Sequence, residues 1–431
     1  MPARYMQRAI LVAFFLCAAV GTASGEAPET TTSPVSITRH DAVTRTLDNN
    51  PLIPASKWAV EAWSGRIEQA SIWENPEVEF EIEEFGIQRD WLGREAEITV
   101  GVSQSVPLGK RLKRAREYGE AGLATAHSRH VVTRLAVAAD VHRAFTHAVA
   151  SQERLAVAKQ ALSLAAEAKA AIAARIEAGA LPPAESFRAE TDLLEAIIGL
   201  EEARAETEAT RIRLVSFWGG HPGDLLSVTG TLDIDAASPL SQLAPEEQKS
   251  NPHTVLLESQ IQLVRSAELR EEAQVIPDLT VGLGWKGLQG FQENSLVVKM
   301  AMPIPAFNRK QGDIDEARAL LRQQVYEAKD LAKDRHGRQQ LAQSRLSATR
   351  QQYRLVNEQL GPAAEKSFNA VLTGFKEGKF KTLDLLEAKQ RLLKIQRRRI
   401  ALAAQYHLAI TDLLYLAGNP DLLMGGKNNE E

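Results

Sequence analysis

Glu77-Val78-Glu79-Phe80-Glu81-Ile82-Glu83 alternates acidic and apolar side chains without a break. A period of two marks a strand whose faces meet different surroundings. Val78, Phe80 and Ile82 share one face; Glu77, Glu79, Glu81 and Glu83 share the other. The next run, Glu95 to Val106, repeats the pattern, with Ala96, Ile98, Val100, Val102 and Val106 against Glu95, Glu97, Thr99, Gly101, Ser103 and Ser105. Two more runs follow later in the chain. Leu279, Val281, Leu283 and Trp285 alternate with Asp278, Thr280, Gly282 and Gly284; Leu296, Val298, Met300 and Met302 alternate with Ser295, Val297, Lys299 and Ala301. Each run, the first taken as Glu77–Phe85, has about the nine to eleven residues of a tilted strand crossing an outer membrane, apolar towards lipid and polar towards a lumen. Trp73, Trp91 and Trp285 stand near strand ends, where interfacial aromatics collect. Hairpins lying on a water-soluble core would alternate in the same way, so the pattern has to be weighed with the rest of the chain.

Working outward, the landmarks around these strands occur twice. Asn50-Pro51 recurs as Asn251-Pro252, Pro76 as Pro277, Pro107 as Pro303, Gly179 as Gly378, and Gly220-His221-Pro222 as Gly418-Asn419-Pro420. The order is kept and the offsets run from 196 to 201, which reads as two diverged copies of one unit. Each copy runs helix, two strands, very long helix, tight turn, helix. No proline interrupts residues 108–181, a stretch rich in Ala, Leu, Glu, Arg and Lys, all good helix formers. A helix there would be about 100 Å long at 1.5 Å per residue. Its counterpart near 309–376 holds one proline, Pro362 after Gly361, where a kink is expected. Leu155, Ala158, Leu162, Ala165, Ile172 and Ile176 keep a three-four spacing broken at Lys169, a seam for lengthwise packing on similar helices. The expected organisation is a leader at 1–25, a first repeat at 36–222, a connection at 223–241, a second repeat at 242–420 and a polar tail at 421–431.

Composition narrows the class. The 431 residues carry 51 basic and 55 acidic side chains, a net charge of −4, which argues against a nucleic-acid partner. Arg4 and Arg8, the apolar run Ala9 to Val20 and the small residues Gly21, Ala23, Ser24 and Gly25 read as a secretory signal peptide. Its removal would take Cys17, the sole cysteine, so no disulfide framework and no cysteine-based metal or redox motif is expected. Beyond residue 25 no stretch approaches 18 uncharged apolar residues, and no transmembrane helix is expected. Four strands cannot close a barrel, whose practical minimum is about eight. If they span a membrane, at least two chains must share one barrel, because lipid cannot satisfy open sheet edges.

Leader, tandem copies, paired strands and rods near 100 Å together resemble the outer-membrane efflux protein family, the TolC-like channels, over residues 36–420. The joints Ser103-Gln104-Ser105-Val106-Pro107-Leu108-Gly109-Lys110-Arg111 and Pro303-Ile304-Pro305-Ala306-Phe307-Asn308-Arg309-Lys310-Gln311-Gly312 resemble those of its cobalt-zinc-cadmium branch. The resemblance implies a mainly α chain with a small transmembrane β portion, forming a homotrimer with a twelve-stranded barrel in outer-membrane lipid and an α-helical periplasmic tube. It also implies a passive exit duct for divalent cations such as Co, Zn or Cd, working with a periplasmic adaptor and an inner-membrane pump of the resistance-nodulation-division (RND) type. The same channel serving drug or protein export, and a periplasmic coiled-coil scaffold without a pore, are the alternatives.

The glutamates Glu77, Glu79, Glu81, Glu83, Glu95 and Glu97 would then face the barrel lumen. Pro107, Pro303 and Pro305 end strand pairing, since proline cannot donate to the ladder. Lys110, Arg111, Lys113, Arg114, Arg309 and Lys310 follow at helix N-termini, where the macrodipole does not favour cations; headgroups, lumenal carboxylates or plain solvation are their expected surroundings. In the turn after the second rod, Asp384 and Glu387 fall one helical turn apart. Three copies would stack them into carboxylate rings, matching the acidic aperture of the family, with Glu185, Arg188, Lys379 and Lys381 as candidates for closing the aperture or meeting the adaptor. His127, His130, His142, His147, His221 and His407 lack a ligand spacing, and no nucleophile-base pair or cofactor fingerprint occurs. No enzyme, cofactor or metal site is expected.

Overall fold

The computed structural model describes residues 35–83, 97–221, 223, 225–234, 251–288, 293–419 and 423. The leader, Cys17, Trp91, Glu95, most of the 223–241 connection and nearly all of the tail lie outside them. The elements are β1 (Val35–Ile37), α1 (Arg39–Asn49), α2 (Leu52–Ser71), β2 (Glu77–Glu83), β3 (Glu97–Val106), α3 (Arg111–Glu177), α4 (Glu185–Ser216), β4 (Leu225–Val228), α5 (Pro252–Ala273), β5 (Leu279–Leu288), β6 (Glu293–Ala301), α6 (Gln311–Leu355), α7 (Gly361–Lys376) and α8 (Thr382–Ala417).

The four longer strands form one antiparallel sheet in the order β2-β3-β5-β6. The helices beneath keep the same order: α2 packs on α3, α3 on α5 and α5 on α6. Further down, α4 lies on α3, α3 on α8, and α8 on α6 and α7. The molecule is therefore one curved wall, strands above and helices below, with β2 and α2 along one margin and β6 and α6 along the other.

Sequence explains the rods. α3 has 67 residues, about 100 Å at 1.5 Å per residue, and its inner face is largely alanine. Ala158, Ala161, Ala165, Ala168 and Ile172 are buried along the seam, where small side chains let helix axes approach. Lys169, the break in the pattern, turns outward and pairs with Glu190. Gly122 serves the same purpose against α2: a Cβ there would lie 2.2 Å from the Trp63 ring. The second rod is irregular beside Pro362. The chain stays helical through Gly361-Pro362, and the disturbance is a single π-helical turn, Val356–Leu360, just before them. A widened turn relocates the carbonyls that proline leaves without a donor, and so replaces a break.

Two features were not foreseen. β1 and β4 form a short parallel pair, Ile37 opposite Val228, where α1 and Phe145 help build the main core. And α8 is long and apolar enough, by composition, to cross a bilayer, although only 56% of its apolar window is buried. Leu402, Ala403, Leu413 and Leu414 are among its buried residues, and the packing on α3 and α6 accounts for that apolar character.

Asn50 and Asn251 show how the tandem landmarks work. Each side-chain oxygen accepts from the first turn of the helix that follows, Leu52 N–H at 3.0 Å and His253 N–H at 2.9 Å. Each amide nitrogen donates to the end of the helix that returns, Asn50 to Phe217 O at 2.8 Å and Asn251 to Leu416 O and Ala417 O at 3.0 and 2.9 Å. One residue type thus satisfies orphan groups at two helix termini at once.

Candidate functional site

The sheet has two unlike faces. On one, Phe80, Val100, Trp285 and Leu296 stand opposite one another across all four strands, and Val78, Val102, Leu283 and Val298 form the next row. These eight side chains are 41–76% exposed, a continuous apolar surface of the kind monomeric soluble proteins rarely show.

The other face is polar and concave. Lys299 Nζ on edge strand β6 lies 2.8 Å from Glu79 and 3.6 Å from Glu81 on the opposite edge strand β2. Two strands lie between them, and neighbouring strands are about 4.8 Å apart. Only a sheet curled towards this face brings such side chains together. Lys286 on β5 likewise reaches Glu83 at 3.2 Å on β2, and pairs with Glu97 on β3. Thr99 and Ser103 are buried beneath this cover. Glu77 is exposed beside them, and Glu95 lies outside the described residues.

At the joints, Pro107 follows β3 and Pro303 and Pro305 follow β6. Gly109, Lys110 and Lys310 adopt left-handed backbone angles, φ +65°, +65° and +58°. Gly109 has a second reason to be glycine, since a Cβ would stand 2.6 Å from the Ile276 side chain. Nothing comparable surrounds Gly312. Arg111 bridges the lower ends of two strands, 3.1 Å from Glu74 ahead of β2 and paired with Asp278 ahead of β5. Lys113 and Arg114 pair with Glu117, and Lys310 pairs with Asp313 at 2.9 Å. Lys110 and Arg309 form no ion pair among the described residues.

At the far end, Gly179 and Gly378 take φ +69° and +85° and close the two helical turns with the same pattern. Ala180 N–H donates to Arg175 O and Lys379 N–H to Gly374 O, as in a Schellman cap. Asp384 acts locally, its carboxylate accepting from the Lys381 backbone N–H at 2.8 Å and so capping α8. Glu387, one turn on, is exposed. Within the chain, Arg188 lies 3.6 Å from Glu185 and Lys379 2.6 Å from Glu377, and the Lys381 backbone N–H takes part in the cap.

Sequence reading missed the contacts that join the two turns. The Arg175 guanidinium donates to Phe375 O and Phe380 O at 3.2 and 3.3 Å and lies 4.9 Å from the Phe375 ring centroid. Seven residues into each of α4 and α8, Asp192 and Lys389 form a buried ion pair, their side chains 9% and 4% exposed. The signal was present: both charges occupy seam positions, Asp192 in step with Ala189 and Leu200, Lys389 with Leu385 and Leu392.

His142, His253 and His130 pack against neighbouring elements, whereas His127, His147 and His221 are exposed. His142 is buried with Nε2 2.7 Å from Leu423 O, and burial pushes its pKa down to about 4. His253 bonds Tyr415 O at 3.0 Å and His130 bonds Ser56 Oγ at 2.7 Å; burial lowers both pKa values. Among the described residues no three His, Cys, Asp or Glu side chains converge on a point.

Residues 42–220 match the model of the outer membrane efflux protein family. The chain is 27% identical over 393 residues to the cobalt-zinc-cadmium resistance protein CzcC of Cupriavidus metallidurans, covering 89% of this chain and 90% of that one. Among solved structures, it superimposes on the outer-membrane channel OprN with a TM-score of 0.75 at 15% identity, covering 88% of this chain and 89% of that one. For VceC of Vibrio cholerae the TM-score is 0.74 at 15% identity, with 88% and 96% covered. CusC gives 0.74 at 13%, with 88% and 92% covered. Curved wall, family model and full-length likeness agree: residues 42–220 match the outer membrane efflux protein family, and the chain as a whole has the fold of the outer-membrane channel OprN.

Proposed function

We propose that three copies of this chain close into a twelve-stranded barrel continued by a helical tube, and that the assembly is a passive exit duct. The observation that carries this reading is the curled sheet, apolar on its convex face and polar on its concave face. β2 and β6 are left as open edges, which a bilayer does not tolerate, so the β6 edge of one copy is assigned to the β2 edge of the next. The concave wall holds Glu77, Glu79, Glu81, Glu83 and Glu97 against Lys286 and Lys299, a net negative lining suited to cations. A periplasmic adaptor and an inner-membrane RND pump are the assigned partners, and the cargo is assigned to divalent cations such as cobalt, zinc and cadmium on the likeness to CzcC.

Purified protein in planar bilayers should conduct and run as a detergent-stable oligomer; silence in both assays would leave a poreless scaffold as the better reading. Asp384→Asn keeps the capping oxygen while removing its charge, so Asp384→Asn with Glu387→Gln should weaken block of the channel by divalent cations without unfolding α8. Unchanged block removes both residues from the aperture. Deleting the gene should reduce tolerance to cobalt, zinc or cadmium, and a loss of drug tolerance alone would move the cargo to organic compounds.

A further inference from the structure

The two joints between sheet and rods differ in length, and the difference is concentrated in one place. From Pro107 to the left-handed Lys110 there are three steps; from Pro303 to the left-handed Lys310 there are seven. The four extra residues are Ile304-Pro305-Ala306-Phe307. Their two large side chains are among the most exposed apolar groups described, Ile304 at 83% and Phe307 at 95%.

The insertion is not a slack loop. Pro303 and Pro305 have no N–H to leave unpaired. Ala306 N–H donates to Ile304 O at 2.8 Å, Arg309 N–H to Gln311 Oε1 at 2.8 Å and Lys310 N–H to Asn308 Oδ1 at 3.0 Å. A backbone that satisfies so many of its own donors is suited to a place where water is scarce.

Magnitude decides what the insertion extends. Leu296, Val298 and Met300 are the outward residues of β6, and Met302 and Ile304 keep the same parity beyond the last ladder bond. At about 3.3 Å per residue and a tilt near 40°, Leu296 to Met300 covers only ~10 Å of membrane normal. Continuing to Ile304 brings this to ~20 Å, close to the roughly 25 Å apolar band of an outer-membrane barrel. Arg309 follows at once, where lipid phosphates would lie.

On the reading that the sheet spans the membrane, we propose that Ile304 and Phe307 are seated in the periplasmic leaflet, at the boundary of acyl chains and headgroups. The occupant of this apolar surface is lipid. It anchors the foot of β6, the strand with no partner on its outer side within the chain.

The test places a spin label at Phe307→Cys, Met300→Cys or Tyr326→Cys in a chain carrying Cys17→Ser, reconstituted in phosphatidylethanolamine–phosphatidylglycerol vesicles. Collisions with oxygen report lipid, and collisions with a water-soluble nickel complex report water. The label at 307 should prefer oxygen over nickel several-fold more than the label at 326, and should resemble that at 300. Ile304→Cys gives a second reading if the first variant does not assemble. A label at 307 that behaves like 326 while 300 stays in lipid overturns the anchor alone. A label shielded from both reagents overturns it in favour of contact with a neighbouring copy. If the label at 300 also collides with nickel, the membrane-spanning sheet itself is wrong.

Discussion

Lys389 carries a full charge into a seam otherwise built from Leu385, Leu392 and Leu393, and Asp192 answers it. Removing one partner of a buried pair costs about 3–5 kcal/mol, whereas replacing both by apolar residues of similar size is often neutral or stabilising. Lys389→Met should therefore lower the thermal midpoint, and Asp192→Leu added to it should restore most of the loss. A double variant as labile as the single one would show that the charge pair is not what Lys389 supplies. His142 makes a different prediction. Its folded pKa, pushed down to about 4 by burial, lies below the usual value near 6.5. Its contribution is therefore complete above pH 6.5 and is lost as pH falls towards 4, because the unfolded chain takes up the proton first, at a cost of roughly 3 kcal/mol. His142→Gln should flatten the fall in melting temperature between pH 7 and 4. At this scale the sequence showed charges at seam positions but not their pairing, since one helix's periodicity does not say which helix faces it.

Among the elements, the two asparagine clamps tie helix starts to helix ends. Asn251→Ala removes a cap worth about 1–2 kcal/mol, together with the donor to Leu416 and Ala417. Amide exchange should quicken both in the first turn of α5 and in the backbone just beyond α8. Quickening confined to α5 would reduce Asn251 to an ordinary cap. The Asn-Pro pairs were legible as recurring landmarks, and the rods were legible from proline placement and helix formers. The π turn was not, because a proline announces that one carbonyl must go elsewhere without saying whether the chain breaks or widens to relocate it. The β1–β4 pair was also hidden: three or four residues are too few for alternation to show, and the pairing joins positions 190 to 191 apart in the chain.

For the whole molecule, bulk composition says nothing of a sheet with one apolar face, because the outward apolar residues occupy alternate positions of only four strands. Alternation disclosed the faces of the sheet; its curvature came only from Lys299 meeting Glu79 across it. Replacing Lys286 and Lys299 by methionine should shift the reversal potential in a salt gradient further towards cation selectivity, while Glu79→Gln with Glu81→Gln should shift it back. No movement in either variant would mean that ions are sorted elsewhere along the duct. The unlike margins of the wall, β2 with α2 on one side and β6 with α6 on the other, also carry a genetic consequence. In the proposed ring of three, each copy accepts one neighbour and presents itself to another, so a chain damaged in its wall but sound at both margins still enters rings. With equal amounts of sound and damaged chains mixing at random in threes, about seven rings in eight hold at least one damaged segment. Such alleles would be inherited as dominant, whereas alleles that spoil a margin would be excluded from rings and stay recessive.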